Sequence, residues 1–171
     1  MIEHDRFYMK HMRTEDIPSV CELLKSCSAK MLSDNFGRDM DESRESNSFV
    51  STLNDCSHKS MVFLVYLKKS GKLIGYATIS KINWISSSAE ISIMINDKYQ
   101  FIGYGTAVYL RLSAYCFEEL NLIKVYSKIR SDNTMLPDRE KGQFVRKIPL
   151  GNGEWRNYYY TELTKYDKYI I

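Results

Sequence analysis

The sequence predicts one mixed α/β domain in which about four helices flank a central sheet that is mostly antiparallel and has one parallel pair of strands in its middle. Apolar runs of strand length follow one another through short turns between residues 61 and 95, which favours antiparallel neighbours. The pattern becomes helical at 105–119 and returns to a strand at 124–129, and this succession predicts a parallel pair with a right-handed crossover. The whole chain, 1–171, is expected to form a single domain.

The N-terminal third predicts one strand and two helices. Large apolar and polar residues alternate over Phe7–Met12, which is typical of a strand. A helix is expected at Ile17–Leu32, because Pro18 suits a first turn and apolar residues recur after it at helical spacing. The polar stretch Ser33–Ser60 is interpreted as a mobile flap that includes a short helix at Glu42–Leu53.

Three strands are predicted in the middle of the chain. Met61–Leu67 is a continuous apolar run, and the turn signal Ser70-Gly71 separates it from a second run at Leu73–Ile82. Ala89–Ile95 shows the clearest alternation, with every second residue apolar on one face. We expect these strands to form an antiparallel meander.

The remainder of the chain predicts the crossover and a closing hairpin. The crossover helix is expected at Gly105–Glu119, where a wide apolar stripe predicts burial. The parallel strand follows at Lys124–Ile129. A short helix near Met135–Lys141 then precedes two strands, at Phe144–Ile148 and Trp155–Leu163.

The charge distribution argues against a nucleic-acid-binding protein. The net charge is +3, and the lysines and arginines are scattered along the chain, whereas nucleic-acid binding favours a clustered basic surface. No stretch reaches the roughly twenty apolar residues of a membrane span, and the first residues lack the apolar core of a signal peptide. We therefore expect a cytoplasmic protein that binds neither nucleic acid nor membrane.

The cysteines and histidines do not suggest a metal site or a disulfide framework. No Cys-x-x-Cys pair occurs, and the three histidines show no paired spacing, although metal sites usually have such spacings. Reduced, mostly buried thiols are expected at Cys21, Cys27, Cys56 and Cys116.

The most informative segment for function is the loop between the meander and the crossover helix. It consists of Gln100, Phe101, Ile102, Gly103, Tyr104, Gly105 and Thr106. Glycine has no Cβ, so backbone N–H groups can approach a polyanion closely, and the following helix adds unpaired N–H groups and a partial positive charge. The loop therefore predicts a site for a phosphate-bearing ligand. The alternative is that its glycines serve the turn alone.

Two common phosphate-binding motifs do not match this loop. A dinucleotide-binding fold needs a third glycine where Val108 stands, and an acidic residue at the end of the next strand, where the chain has Lys128 and Arg130. A nucleoside-triphosphate loop needs Gly-Lys-Ser/Thr, which the sequence lacks. Both classes are therefore disfavoured.

The loop and the succession of elements around it resemble the Gcn5-related N-acetyltransferase (GNAT) superfamily. The superfamily's Gln/Arg-x-x-Gly-x-Gly/Ala motif is similar to Gln100–Gly105, with Ala89-Glu90-Ile91 ahead of it and Ser131-Asp132-Asn133 after the parallel strand. The resemblance covers nearly the whole chain. It implies the GNAT fold, in which the parallel pair of strands splays apart.

The resemblance also implies a site for acetyl-coenzyme A between the splayed strands. Gln100–Thr106 would hold the pyrophosphate through backbone N–H groups. The backbone of Ile93, Met94 and Ile95 would pair with the pantetheine arm, and one of these N–H groups would stabilise the oxyanion. Asn133 matches the asparagine that faces the pantetheine and the sulfur.

Glu90 is the candidate general base. An amine must be neutral to attack a thioester, whereas an alkyl ammonium is mostly protonated at pH 7, and some members place a catalytic glutamate in this Ala-Glu-Ile context. The alternative is a glutamate that orders water or pairs with a nearby cation. The usual general acid, a tyrosine before Glu140-Lys141, is replaced by Arg139, and Pro137 would disturb a helix there.

Two functions follow from this resemblance. The first is an acetyl-coenzyme A-dependent N-acetyltransferase, without a metal, that transfers the acetyl group directly to a primary amine of a small molecule or a peptide N-terminus. The alternative is a non-catalytic acyl-coenzyme A sensor or interaction domain of the same fold, which the missing tyrosine favours. The sequence identifies neither the amine acceptor nor the oligomeric state, for which a homodimer is one option.

Overall fold

The computed structural model describes residues 1–28, 42–54, 59–130, 143–149 and 155–167. These residues form eight strands and three helices. The strands are β1 (Ile2–Glu3), β2 (Phe7–His11), β3 (Met61–Leu67), β4 (Leu73–Asn83), β5 (Ser88–Ile95), β6 (Lys124–Arg130), β7 (Gln143–Pro149) and β8 (Trp155–Thr164). The helices are α1 (Ile17–Lys25), α2 (Glu42–Leu53) and α3 (Tyr104–Glu118).

The strands join one sheet in the order β1-β2-β3-β4-β5-β6-β8-β7. Every neighbouring pair is antiparallel except β5 and β6, which are parallel and lie in the middle. Helix α3 connects these two strands, as the strand–helix–strand pattern predicts. The expected fold class, a mostly antiparallel sheet with a central parallel pair, is confirmed.

Helix α3 covers one face of the sheet. Its apolar residues Val108 and Leu112 pack into a buried core with Ile91 of β5 and Val125 of β6. Side chains along a strand alternate between the two faces, so Ile95 also lies in this core. The residues that gave β5 its apolar periodicity therefore face α3.

Helices α1 and α2 cover the opposite face. Their core contains Leu24 of α1, Phe49 of α2, Leu64 of β3 and Met94 of β5. Glu90 lies four residues before Met94, and positions an even number apart share a face of a strand. Strand β5 therefore presents the Glu90 carboxylate on the face of the sheet that α1 and α2 cover.

The boundaries of the predicted elements that are described agree with the sequence expectations to within one residue except at the end of α1, and the short strand β1 was not predicted. Helical periodicity predicts a helix to Leu32, whereas α1 ends at Lys25, so this prediction is wrong. The Ser26 side chain helps to hold the turn that follows: its hydroxyl donates to the Leu23 carbonyl at 2.7 Å and accepts from Asn96 Nδ2 at 2.9 Å.

Several expectations fall outside the described residues. They are the helix near Met135–Lys141, Asn133, Cys56, the segment 29–41 and the tip of the last hairpin. Three of the predicted reduced thiols are free and buried: Cys21, Cys27 and Cys116. Among the described helices, none is both long and apolar enough to cross a bilayer.

Candidate active site

Strands β5 and β6 separate in the middle of the sheet. Their pairing is limited to Ser88–Glu90 and Lys124–Tyr126, although β5 continues to pair with β4 up to Ile95 and β6 pairs with β8 along its whole length. At the point of separation the Ser127 hydroxyl donates to the Ile91 carbonyl oxygen at 2.7 Å. A side-chain hydrogen bond thus takes the place of the next backbone hydrogen bond between β5 and β6. The sheet therefore contains a cleft that opens toward the carboxyl ends of both strands.

The backbone of every second β5 residue points into this cleft. The Asn96 N–H donates to a carbonyl at the start of β4 at 2.8 Å, and in an antiparallel ladder the residues that bond the partner strand recur at every second position. Met94 therefore bonds β4, whereas Ile93 and Ile95 face the cleft. Because the Gln100 side chain donates to the Ile95 carbonyl at 2.8 Å, the groups left facing the cleft are the N–H and C=O of Ile93 and the N–H of Ile95.

The glycine loop lies at the open end of the cleft. Gly103 precedes α3 with a φ of +84°, a left-handed conformation that glycine adopts at little cost. The first intrahelical bond runs from Ala107 N–H to Gly103 O at 3.1 Å, so the amides of Tyr104, Gly105 and Thr106 have no acceptor within the helix. A Cβ added at Gly105 would meet nothing within 4 Å. Unpaired amides beside an open backbone surface fit a diphosphate.

The start of the loop is fixed to its surroundings. The Gln100 N–H donates to the Asp97 carbonyl at 3.2 Å, and its side-chain amide donates to Ile95. Phe101 has a positive φ of +62°, and the side chains of Phe101 and Ile102 are exposed. Gln100 thus stabilises the end of β5. Because both of its amide groups have acceptors, the amides that can bind an anion lie after Gln100 in the loop.

Glu90 lies at the closed end of the cleft and is 7% exposed. Its Oε2 accepts hydrogen bonds from Lys81 Nζ at 2.5 Å and Lys128 Nζ at 3.2 Å. The hydrogen bond to Glu90 is the main cause that raises the pKa of Lys81. Both ammonium groups engage Oε2, so Oε1 is the oxygen that these lysines leave for a water or an amine.

Neither lysine is predicted by the sequence analysis. Lys81 follows Ser80, which pairs with Glu90 across the β4–β5 ladder, so a regular strand would place the Lys81 side chain on the other face. The ladder shifts register between Ser80 and Asn83, and Lys81 has a φ of +52°. Such irregularities re-aim side chains, and this one turns Lys81 toward the carboxylate.

A buried tyrosine hydroxyl lies on the α3 side of the cleft. Tyr109 Oη has no hydrogen-bond partner among the described residues. Burial raises the pKa of Tyr109 to about 12, against the opposing effect of the neighbouring Ser127 and Ser113 hydroxyls. The phenol therefore stays protonated at neutral pH, beside the point where the strands separate.

Most of the candidate residues from the sequence lie along one cleft, whereas the backbone of Met94 bonds β4 and the amides of Gln100 bond Asp97 and Ile95. Glu90 is at its closed end, Ile93 and Ile95 line it, and Gly103–Thr106 are at its open end. The five residue steps of extended strand from Glu90 to Ile95 span about 16 Å. Asn133 lies outside the described residues.

A mixed sheet whose central parallel strands separate beside a glycine loop is the architecture of the GNAT class of acyltransferases. The chain matches the family described as "Acetyltransferase (GNAT) domain" over residues 6–136, a range that includes the cleft and the loop. The protein belongs to the GNAT acetyltransferase family.

Solved structures show the same fold. A GNAT-family acetyltransferase from Bacillus anthracis has a TM-score of 0.77 and 21% identity, covering 97% of this chain and 99% of that one. Spermidine N-acetyltransferase from Vibrio cholerae, solved in complex with CoA and spermine, has a TM-score of 0.76 and 20% identity, covering 95% and 97%.

One relative is closer in sequence. The uncharacterized N-acetyltransferase YnaD of Bacillus subtilis (strain 168) is 30% identical over 108 residues, which are 59% of this chain and 63% of that protein. The match thus spans less than two thirds of the relative's length.

Proposed function

We propose that the protein transfers an acetyl group from acetyl-coenzyme A directly to a primary amine of a small molecule or a peptide N-terminus. The observation that carries this proposal is the cleft between β5 and β6, which has unpaired amides at its mouth and a carboxylate at its closed end. A pantetheine arm extended along β5 would place the diphosphate near the glycine loop and the thioester near Glu90.

The donors and acceptors of the cleft suit this coenzyme. The amides of Tyr104, Gly105 and Thr106 suit the diphosphate, because a helix N-terminus favours negative charge. The C=O of Ile93 and the N–H of Ile95 suit an amide group of the pantetheine arm, which would add to β5 as a further strand does. Asn133 remains a proposed contact to the pantetheine and the sulfur.

The proposed chemistry assigns the amine proton to Glu90. As the nitrogen–carbon bond forms, the attacking nitrogen must lose a proton, which Oε1 would accept directly or through a water. The carbon–sulfur bond then breaks, and coenzyme A leaves as the thiolate, which takes up a proton from water. The N–H of Ile93, which is the nearer of the two cleft-facing amides to Glu90, would stabilise the oxyanion of the tetrahedral intermediate. Lys81 and Lys128 would hold the carboxylate in position throughout.

A screen of primary amines with acetyl-coenzyme A and a thiol-detecting reagent tests the proposal. We expect amine-dependent release of coenzyme A, and a decrease in kcat of about 100-fold in Glu90→Gln with no change in acetyl-coenzyme A affinity. The control is Glu3→Gln, because Glu3 is likewise a glutamate with a lysine partner, Lys68 at 3.0 Å, but lies on the edge strand β1.

Each outcome of this screen leads to a different conclusion. Unchanged turnover in Glu90→Gln would remove Glu90 from the mechanism without affecting the acetyltransferase assignment. Failure of the wild-type protein to bind any acyl-coenzyme A at millimolar concentration would refute the proposed function. Binding without turnover for any amine would favour the non-catalytic sensor or interaction domain.

A further inference from the structure

Arg6 connects the turn between β1 and β2 to the glycine loop. Its Nη1 donates to the Ile102 carbonyl at 3.1 Å, and its Nη2 lies 3.5 Å from the Gly103 carbonyl oxygen. Its guanidinium also lies over the Tyr104 ring, 4.8 Å from the centroid. One side chain therefore contacts three consecutive residues of the loop.

The backbone of Arg6 is itself held on both sides. Its N–H donates to His4 Nδ1 at 3.2 Å, and its carbonyl accepts from Lys68 N–H at 3.1 Å. The His4 ring stacks on the buried Phe7 with centroids 4.3 Å apart, and burial lowers the pKa of His4, which keeps Nδ1 an acceptor. Phe7 also makes an edge contact with Tyr104. The guanidinium is thus anchored on the sheet before any ligand binds.

The two carbonyls that Arg6 contacts belong to the peptide groups on either side of Gly103. The Ile102 carbonyl shares a peptide group with the Gly103 N–H, and the Gly103 carbonyl shares one with the Tyr104 N–H. Because a trans peptide group is planar and its C=O and N–H point in opposite directions, holding the oxygens toward Arg6 directs both N–H groups away from it.

We propose that Arg6 is a positioning residue for the diphosphate of the coenzyme. It fixes the peptide groups on either side of Gly103, so that their N–H groups are oriented for an anion before it arrives. Arg6 acts from the carbonyl side of the loop and requires no contact with the ligand. The inference rests on the proposed function, since it takes the loop to be the diphosphate site.

A direct ion pair between Arg6 and the diphosphate would respond differently to substitution. Lysine keeps the positive charge but lacks the planar fork that lets arginine bond two carbonyls. If Arg6 positions the peptide groups, Arg6→Lys and Arg6→Met should lose similar affinity. If the charge alone matters, Arg6→Lys should keep the wild-type affinity. Lys68→Met is the charge-matched control, because it removes one cation near the same turn.

The first measurement is calorimetric binding of coenzyme A, with pantetheine, which lacks the diphosphate, as the second ligand. We expect Arg6→Met and Arg6→Lys each to weaken coenzyme A binding about tenfold, the loss typical of a charge-assisted hydrogen bond, and to leave pantetheine binding unchanged. Lys68→Met should alter neither. Wild-type affinity in Arg6→Lys, or equal weakening of both ligands, would overturn the proposal.

The second measurement needs no ligand. We expect ¹⁵N relaxation order parameters of the Gly103 and Tyr104 amides to fall in Arg6→Met and Arg6→Lys from a rigid value near 0.85 toward about 0.6, while β5 amides stay rigid. Unchanged order parameters in both variants would refute the positioning role. If the wild-type protein binds no coenzyme A, the proposed function fails, and the order parameters still decide whether Arg6 fixes the loop.

Discussion

Substitution of Gly105 offers a test in which stability and binding change in opposite directions. Gly105 lies in the first turn of α3, and no atom lies within 4 Å of the position its Cβ would take. Alanine is favoured over glycine within a helix by about 0.5–1 kcal/mol. Gly105→Ala should therefore raise the free energy of unfolding by up to about 1 kcal/mol and Tm by about 1–4 °C.

The same methyl group would lie where we propose that the diphosphate approaches the backbone. It would remove one hydrogen bond from a backbone amide to a charged oxygen, which contributes about 1.5–3 kcal/mol. Coenzyme A should therefore bind roughly 10- to 100-fold more weakly to Gly105→Ala. Gly105→Asp, which adds a carboxylate against the diphosphate, should abolish binding.

Gly71 provides the matched control. It lies in the β3–β4 turn with a φ of +63° and also has nothing within 4 Å of a Cβ position. Gly71→Ala should lower stability by about 1 kcal/mol because of its left-handed backbone, and should leave coenzyme affinity unchanged. Thermal denaturation and calorimetry measure both quantities. Wild-type affinity for coenzyme A in Gly105→Ala would refute the proposed approach of the diphosphate to this backbone.

A further prediction concerns stability at low pH. Burial raises the pKa of Asp16, but hydrogen bonds from Lys10 and the Arg13 N–H outweigh it and lower the pKa overall. Its stabilisation is therefore present above the unfolded pKa near 4 and is lost as pH falls through the folded pKa. Asp16→Asn should thus destabilise the protein at pH 7, and the difference in the free energy of unfolding should become smaller as the pH is lowered below 4 in urea unfolding; a difference that does not change with pH would contradict the argument.

The features predicted correctly from the sequence depend on local patterns. The alternation over Ala89–Ile95 predicted the buried face of β5, because strand geometry alone decides which side chains share a face. The change to helical spacing at Gly105 predicted the crossover, and hence the parallel pairing with Lys124–Ile129. The glycine loop and the Glu90 context were recognisable because their residues are contiguous in the chain.

The features that sequence reasoning missed depend on distant contacts or on backbone irregularity. Arg6 lies 96 residues from Ile102, and no periodicity connects the two. Lys81 reaches Glu90 only through a register shift in β4. Helix α1 ends early where Asn96, 70 residues away, bonds the turn after it. Such contacts follow from how the elements pack, which local patterns do not specify.

The most direct test of the central claim is a titration of the ¹⁵N-labelled wild-type protein with acetyl-coenzyme A, followed through its backbone amide resonances. If the coenzyme binds in the cleft between β5 and β6, saturable shifts should be largest at Ile93, Ile95 and Gly103–Thr106. They should be small at Met94, whose backbone bonds β4. Absence of binding at millimolar concentration, or shifts confined to residues away from the cleft, would contradict the account.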